Sequence, residues 1–106
     1  ARLRAPDALL LVAEQDGVVA GVLLAGLARD DDGRPLPGVL ELELLAVAPP
    51  AQRTGVGTAL LAALLARYPR LQAWTGPDAT GVLARAGLEA TGRTREPDLQ
   101  QWATRP

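Results

Sequence analysis

Between Leu40 and Tyr68 the apolar residues change their spacing, and the change falls across a glycine turn. In LELELLAV, Leu40, Leu42 and Leu44 lie on one face of an extended chain and Glu41, Glu43, Leu45 and Val47 on the other, the period of a strand. From Thr58 onward Leu60, Leu61, Leu64, Leu65 and Tyr68 form one stripe on a helix, which Pro69 stops. A strand that runs through a tight turn into an amphipathic helix must lay that helix against a sheet, so the chain is a sheet covered by helices.

The flanking segments extend the sheet. Leu9 to Glu14 and Val18 to Ala28 are apolar runs joined through Asp16-Gly17, a dipeptide suited to a two-residue hairpin because both positions tolerate positive φ. Arg29 to Gly38, RDDDGRPLPG, reads as a solvated loop. After the helix, LQAWT reads as a fourth strand and PDATGVLARAG as a second helix, with Pro77 near its start and Gly87 at its C-terminal cap. LEATGRT and LQQWAT read as closing strands. With no repeat and no long linker, the 106 residues are expected to form a single domain over 1–106.

Composition removes whole reaction classes. The chain holds no Cys, His, Lys, Ser or Asn, so a hydrolase triad, an ordinary zinc site, a Schiff base and a lysine-bearing phosphate loop are all excluded. Asp30, Asp31 and Asp32 lack the ligand spacing of a calcium loop and read as surface, so no metal is expected. A net charge of -1 shows no basic bias that would draw the chain onto nucleic acid. No apolar segment reaches the roughly 20 residues of a membrane span, and the opening ARLRAPDALLLVAEQ reads as a strand rather than a signal peptide, with cytoplasm as the default location. The first residue is Ala rather than Met, which suits a processed or trimmed chain.

The remaining candidate for chemistry is AQRTGVGTALL, Ala51 to Leu61. A helix N-terminus exposes about four unpaired N–H groups and carries roughly half a positive charge, so a glycine turn entering a helix can hold phosphate without lysine. Gly55 and Gly57 remove Cβ atoms that would keep a ligand from the backbone, and Arg53 can add a charge-assisted contact. A dinucleotide fingerprint would need a third glycine where Leu60 stands. On these residues alone the turn serves equally as a plain helix start.

The strand LELLAV, the proline, then Gln52-x-x-Gly55-x-Gly57 and the leucine-rich helix together resemble the GNAT superfamily of acyl-CoA-dependent N-acyltransferases. The resemblance runs over roughly Leu9 to Trp102 and is most specific in LELLAVAPPAQRTGVGTALLAALL. It implies an α/β (α+β) fold: a mixed, mostly antiparallel central sheet, with helices on both faces, splayed at a bulged strand, Leu40 to Val47. It implies acetyl-CoA as acyl donor and a primary amine as acceptor. Leu45, Ala46 and Val47 would offer backbone groups to the pantetheine arm, Gln52 would occupy the first position of the loop motif, and Arg53, Thr54, Gly55, Val56, Gly57 and Thr58 would wrap the pyrophosphate. A lysine-like ammonium, pKa near ~10.4, must lose a proton before it attacks, and Glu41 or Glu43 would take it.

Two departures shape the expectation. Gly76 stands where the family usually has Asn and Leu83 where it usually has the Tyr assigned to protonate the leaving thiolate. The strand and two helices with which the family usually begins have little room before Leu9, which leaves a minimal or trimmed enzyme, a partner chain such as a second copy in a homodimer supplying the acceptor wall, or a chain that no longer acylates. The reading is an N-acetyltransferase; the alternatives are a non-catalytic acyl-CoA-binding or regulatory domain, or an interaction domain.

Overall fold

In the computed structural model, residues 8–95 and 98–105 are described. The opening ARLRAPD, read above as the start of a strand, lies outside them. A six-stranded sheet runs in the order β1-β2-β3-β4-β6-β5, built from β1 (Ala8–Gln15), β2 (Val18–Arg29), β3 (Pro35–Val47), β4 (Leu71–Thr75), β5 (Glu89–Arg95) and β6 (Leu99–Ala103). All neighbours are antiparallel except β3 and β4, which are parallel and joined by helix α1 (Val56–Arg67). This is the mixed, mostly antiparallel sheet expected from sequence. Helix α2 (Thr80–Arg85) follows β4.

Asp16 and Gly17 make the β1–β2 hairpin with φ of 53° and 78°, as the dipeptide predicts. The acidic loop is shorter than its composition suggests, because β3 begins at Pro35. Asp30 closes it: its Oδ1 accepts from the backbone N–H of Asp32 and of Arg34, both at 2.9 Å. Asp31 instead reaches β5, where it pairs with Arg93 at 2.7 Å and Arg95 at 3.6 Å. The second helical segment is also shorter than predicted. Pro77–Ala79 form a 3-10 turn, and only Thr80–Arg85 are α-helical. The helix ends with Gly87 N–H donating to Ala84 O and Leu88 N–H to Leu83 O, which brings Leu83 and Leu88 together in the core.

One apolar cluster joins the sheet to the helices. Leu23, Leu40, Leu61, Leu64, Leu71 and Leu83 are the largest fully buried side chains, and Tyr68 and Trp102 pack at its margin. Among the described residues both helices contribute to this cluster and so lie on one face of the sheet. The register carries Leu10, Leu24 and Leu44 across the opposite face in one row and Val12, Val22 and Ala46 in the next. Leu10, Val12 and Leu44 are exposed there.

The alternation read in β3 fails at one residue. Leu42 pairs with Ala25 and Leu44 with Leu24, so Glu43 is an extra residue, a β-bulge, without a partner on β2. An inserted residue reverses the phase of everything after it. Leu40 and Leu42 face the helices before the bulge, and Leu45 and Val47 face them after it, while Leu44 turns to the exposed face. Glu41 and Glu43 therefore do not form the uninterrupted carboxylate face that strict alternation predicts.

Candidate active site

The bulge marks where two parallel strands part. β3 pairs with β4 only over Leu40↔Leu71, Glu41↔Gln72 and Leu42↔Ala73, although β3 continues to Val47 and β4 to Thr75. From Glu43 to Val47 the β4-facing edge of β3 has no strand beside it among the described residues, so its backbone groups are open to pairing.

The chain then enters α1 through a turn with uncommon dihedrals. Pro49–Ala51 form a 3-10 turn, Gln52 Nε2 donates to Val47 O at 3.2 Å, and the Thr54 hydroxyl donates to Ala51 O. Arg53 stands at φ 66°, a left-handed conformation that costs a non-glycine residue on the order of 1–2 kcal/mol. Gly55, at φ 89°, is the N-cap of α1 and supplies no capping side chain. The first helical bond runs from Ala59 N–H to Gly55 O at 2.9 Å, which leaves the N–H groups of Val56, Gly57 and Thr58 ahead of it without a helical acceptor. Such a terminus is open to an anion.

Between the free edge of β3 and this terminus lies a cleft of 1080 Å³. Leu45 and Val47 form its strand wall, and Gln52, Arg53, Gly55 and the first turn of α1 form its other side. A Cβ built at Gly57 would stand 3.6 Å from Val47 Cγ2 and 3.7 Å from Leu45 Cδ2, so the bare backbone at this position widens the passage. Of the residues singled out from sequence, Leu45, Val47, Gln52, Arg53, Gly55, Val56, Gly57 and Thr58 line the cleft. Thr54 does not, its hydroxyl being turned to Ala51. Ala46 pairs with Val22 on the opposite sheet face.

Three further lining residues come from the Pro77–Ala79 turn, which supplies Asp78, and from α2, which supplies Val82 and Arg85. Val82 and Arg85 are three apart and share a helix face, but nothing local says which element that face meets. Leu83, at the position expected to hold a tyrosine, is 1% exposed and belongs to the core. Trp74 lies on the sheet face away from the helices, with the Arg95 guanidinium 4.2 Å and the Arg93 guanidinium 5.8 Å from its ring centre.

Glu41 lies on that same opposite face, paired with Gln72 one position before the strands separate. Its Oε1 accepts from Gln72 Nε2 at 3.0 Å. Glu43, at the bulge, is exposed. The cleft and Glu41 thus approach the parting of β3 and β4 from opposite faces. The resolved pKa displacements lie elsewhere: hydrogen bonds from Arg105, then its charge, hold the Glu89 carboxyl below its usual range and raise Arg105.

Residues 1–86 match the sequence model of the Acetyltransferase (GNAT) family. The chain belongs to the GNAT acetyltransferase family. Solved structures agree in fold. The ribosomal-protein-alanine N-acetyltransferase of Brucella melitensis is 27% identical, with 90% of this chain and 67% of that one covered at a TM-score of 0.68. The IAA acetyltransferase of Bacillus cereus ATCC 14579 is 22% identical, with 92% and 77% covered at 0.72. The PaiA N-acetyltransferase of Thermoplasma acidophilum, solved in complex with coenzyme A, is 13% identical, with 94% and 62% covered at 0.75. This GNAT chain thus spans between 62% and 77% of the length of these proteins. No curated protein sequence matches it.

Proposed function

We propose that this GNAT chain is an acetyl-CoA-dependent N-acetyltransferase acting on a primary amine. The observation that carries the reading is the cleft of 1080 Å³ between an unpaired strand edge and an uncapped helix N-terminus, two surfaces suited to one extended ligand. Pantetheine amides can pair with the free edge of Glu43–Val47 as an added strand would, with Leu45 and Val47 against the chain's methylenes. A diphosphate fits the N–H groups of Val56, Gly57 and Thr58, and Arg53 and Arg85 supply positive charge beside it. The bound CoA complex of the PaiA enzyme supports the choice of donor.

The amine enters from the opposite sheet face, where Glu41 or Glu43 takes its proton directly or through water. The nitrogen lone pair then bonds to the thioester carbonyl carbon, the C–S bond breaks, and the nitrogen gives up its second proton to water as it becomes an amide. Leu83 has no proton to give, so the sulfur leaves as thiolate; with a thiol pKa near ~8.5, this needs little help. In this reading residues 1–106 form a single domain, with the donor cleft lined by residues between Leu45 and Arg85.

Leu83 and Gly76 favour a second reading, an acyl-CoA-binding domain without turnover. Calorimetric titration with acetyl-CoA, followed by an assay for free CoA released in the presence of primary amines, separates the two. Binding with amine-dependent release supports the enzyme, binding without release supports the second reading, and absence of binding overturns both.

A further inference from the structure

On the sheet face away from the helices, four side chains from four strands form one line. Gln72 of β4 donates Nε2–H to Glu41 Oε1 of β3 at 3.0 Å. Gln101 of β6 directs Nε2 toward Gln72 Oε1 at 3.5 Å, a long contact, and Thr91 of β5 donates its hydroxyl to Gln101 Oε1 at 2.8 Å. The two glutamines are 8% and 5% exposed and are the buried polar residues of the described chain. A buried amide without partners would cost about 1–3 kcal/mol, so each needs the other.

The order of donors and acceptors follows from one end. An ionised carboxylate only accepts, so Gln72 must present its NH₂ to Glu41 and its carbonyl to Gln101. Gln101 then faces Gln72 with its own NH₂ and keeps its carbonyl for Thr91. Each amide is locked in orientation, and the locked end grips Glu41 at the last register position but one before β3 and β4 part. Glu43, two residues on, is the exposed bulge residue.

We infer that Gln72, held by Gln101 and Thr91, is a positioning residue that makes Glu41, rather than Glu43, the base for the incoming amine. The inference rests on the acetyltransferase reading. A carboxylate at the end of a flexible side chain must be held near the attacking nitrogen to be useful, and a misplacement of about 1 Å can cost on the order of 100-fold in rate. Neutral amides provide that hold without adding a charge that would compete with the ammonium.

The test replaces the pair together. Gln72→Met/Gln101→Met keeps the side-chain volumes and removes both amides, so neither is left buried without the other. CoA release is measured with acetyl-CoA and, separately, n-butylamine, spermidine and an alanine-led tripeptide, and the best acceptor is carried forward. The double variant should lower kcat about 10- to 100-fold, while the amine KM and the calorimetric Kd for acetyl-CoA stay within about twofold. Glu41→Gln should lower kcat at least as far, and the triple variant Glu41→Gln/Gln72→Met/Gln101→Met should lower it no further, because the amides act through that carboxylate. Unchanged kcat in the double variant, or an equal further loss on top of Glu41→Gln, overturns the inference. A wild-type chain that binds acetyl-CoA but releases none with any of the three amines also overturns it and leaves donor binding standing. One that fails to bind acetyl-CoA overturns the functional reading as well.

Discussion

Gly57 has room for a β-carbon, which would meet Val82 Cγ2 at 3.4 Å and the two strand residues at 3.6 and 3.7 Å, all tolerable contacts. What a larger side chain would take is the space between α1 and the free edge of β3. Gly57→Val should therefore fold, since valine ranks above glycine in helix preference. Calorimetry should show acetyl-CoA binding weakened at least about tenfold, or about 1.4 kcal/mol. Undiminished affinity would mean the ligand takes another path. Gly55 differs, because no atom lies within 4 Å of its built Cβ and its φ is 89°; a substitution there acts through backbone strain rather than occlusion.

Between elements, the position of α1 depends on a close approach to β2. A Cβ on Gly21 would lie 2.9 Å from Val56 Cγ1, 3.2 Å from Leu60 Cδ1 and 3.2 Å from Ala46 O. Gly21→Ala should destabilise the chain by about 1–3 kcal/mol in denaturant unfolding and, by lifting the first turn of α1, weaken acetyl-CoA as well. The outer strands carry a pH-dependent contact. Arg105, just beyond β6, donates Nε and Nη2 to Glu89 Oε1 of β5 at 2.8 and 2.6 Å. A carboxylate held below its usual range stabilises the fold above its unfolded pKa, and the contribution is lost as pH falls through the depressed value. Arg105→Ala should thus lower Tm slightly at neutral pH and not at all in strong acid; the effect is small because both groups are exposed.

For the molecule as a whole, the parting of β3 and β4 is a slot open to both faces. The cleft reaches it from the helix side and Glu41 from the other. Donor and acceptor can then meet end to end without sharing a pocket. A ligand that binds only the folded chain stabilises it by mass action, so acetyl-CoA at about 100 times its Kd should add about 2.7 kcal/mol and raise Tm in thermal unfolding. No shift at saturating acetyl-CoA would count against the donor cleft.

Most of the elements were legible locally, because periodicity and punctuation are local signals. Asp16-Gly17 specifies a hairpin, Pro69 ends a helix, and the stripe from Leu60 to Tyr68 specifies a face to bury. The glycine turn and its arginine were legible for the same reason: a helix N-terminus carries its unpaired N–H groups wherever it is packed. The resemblance implied a bulged strand over Leu40 to Val47, but which residue bulges was not legible, since the extra residue appears only in the pairing with β2. Gln72 and Gln101 carry no local signal that sets them apart, and only the β3-β4-β6-β5 order places them beside Glu41 and Thr91. Asp78, Val82 and Arg85 joined the cleft through the packing of α2 beside α1. The sequence by itself therefore determined the elements and the anion-ready turn. Only the tertiary structure decided which carboxylate is held and what lines the cleft, because strand register and helix packing join residues that no local pattern relates.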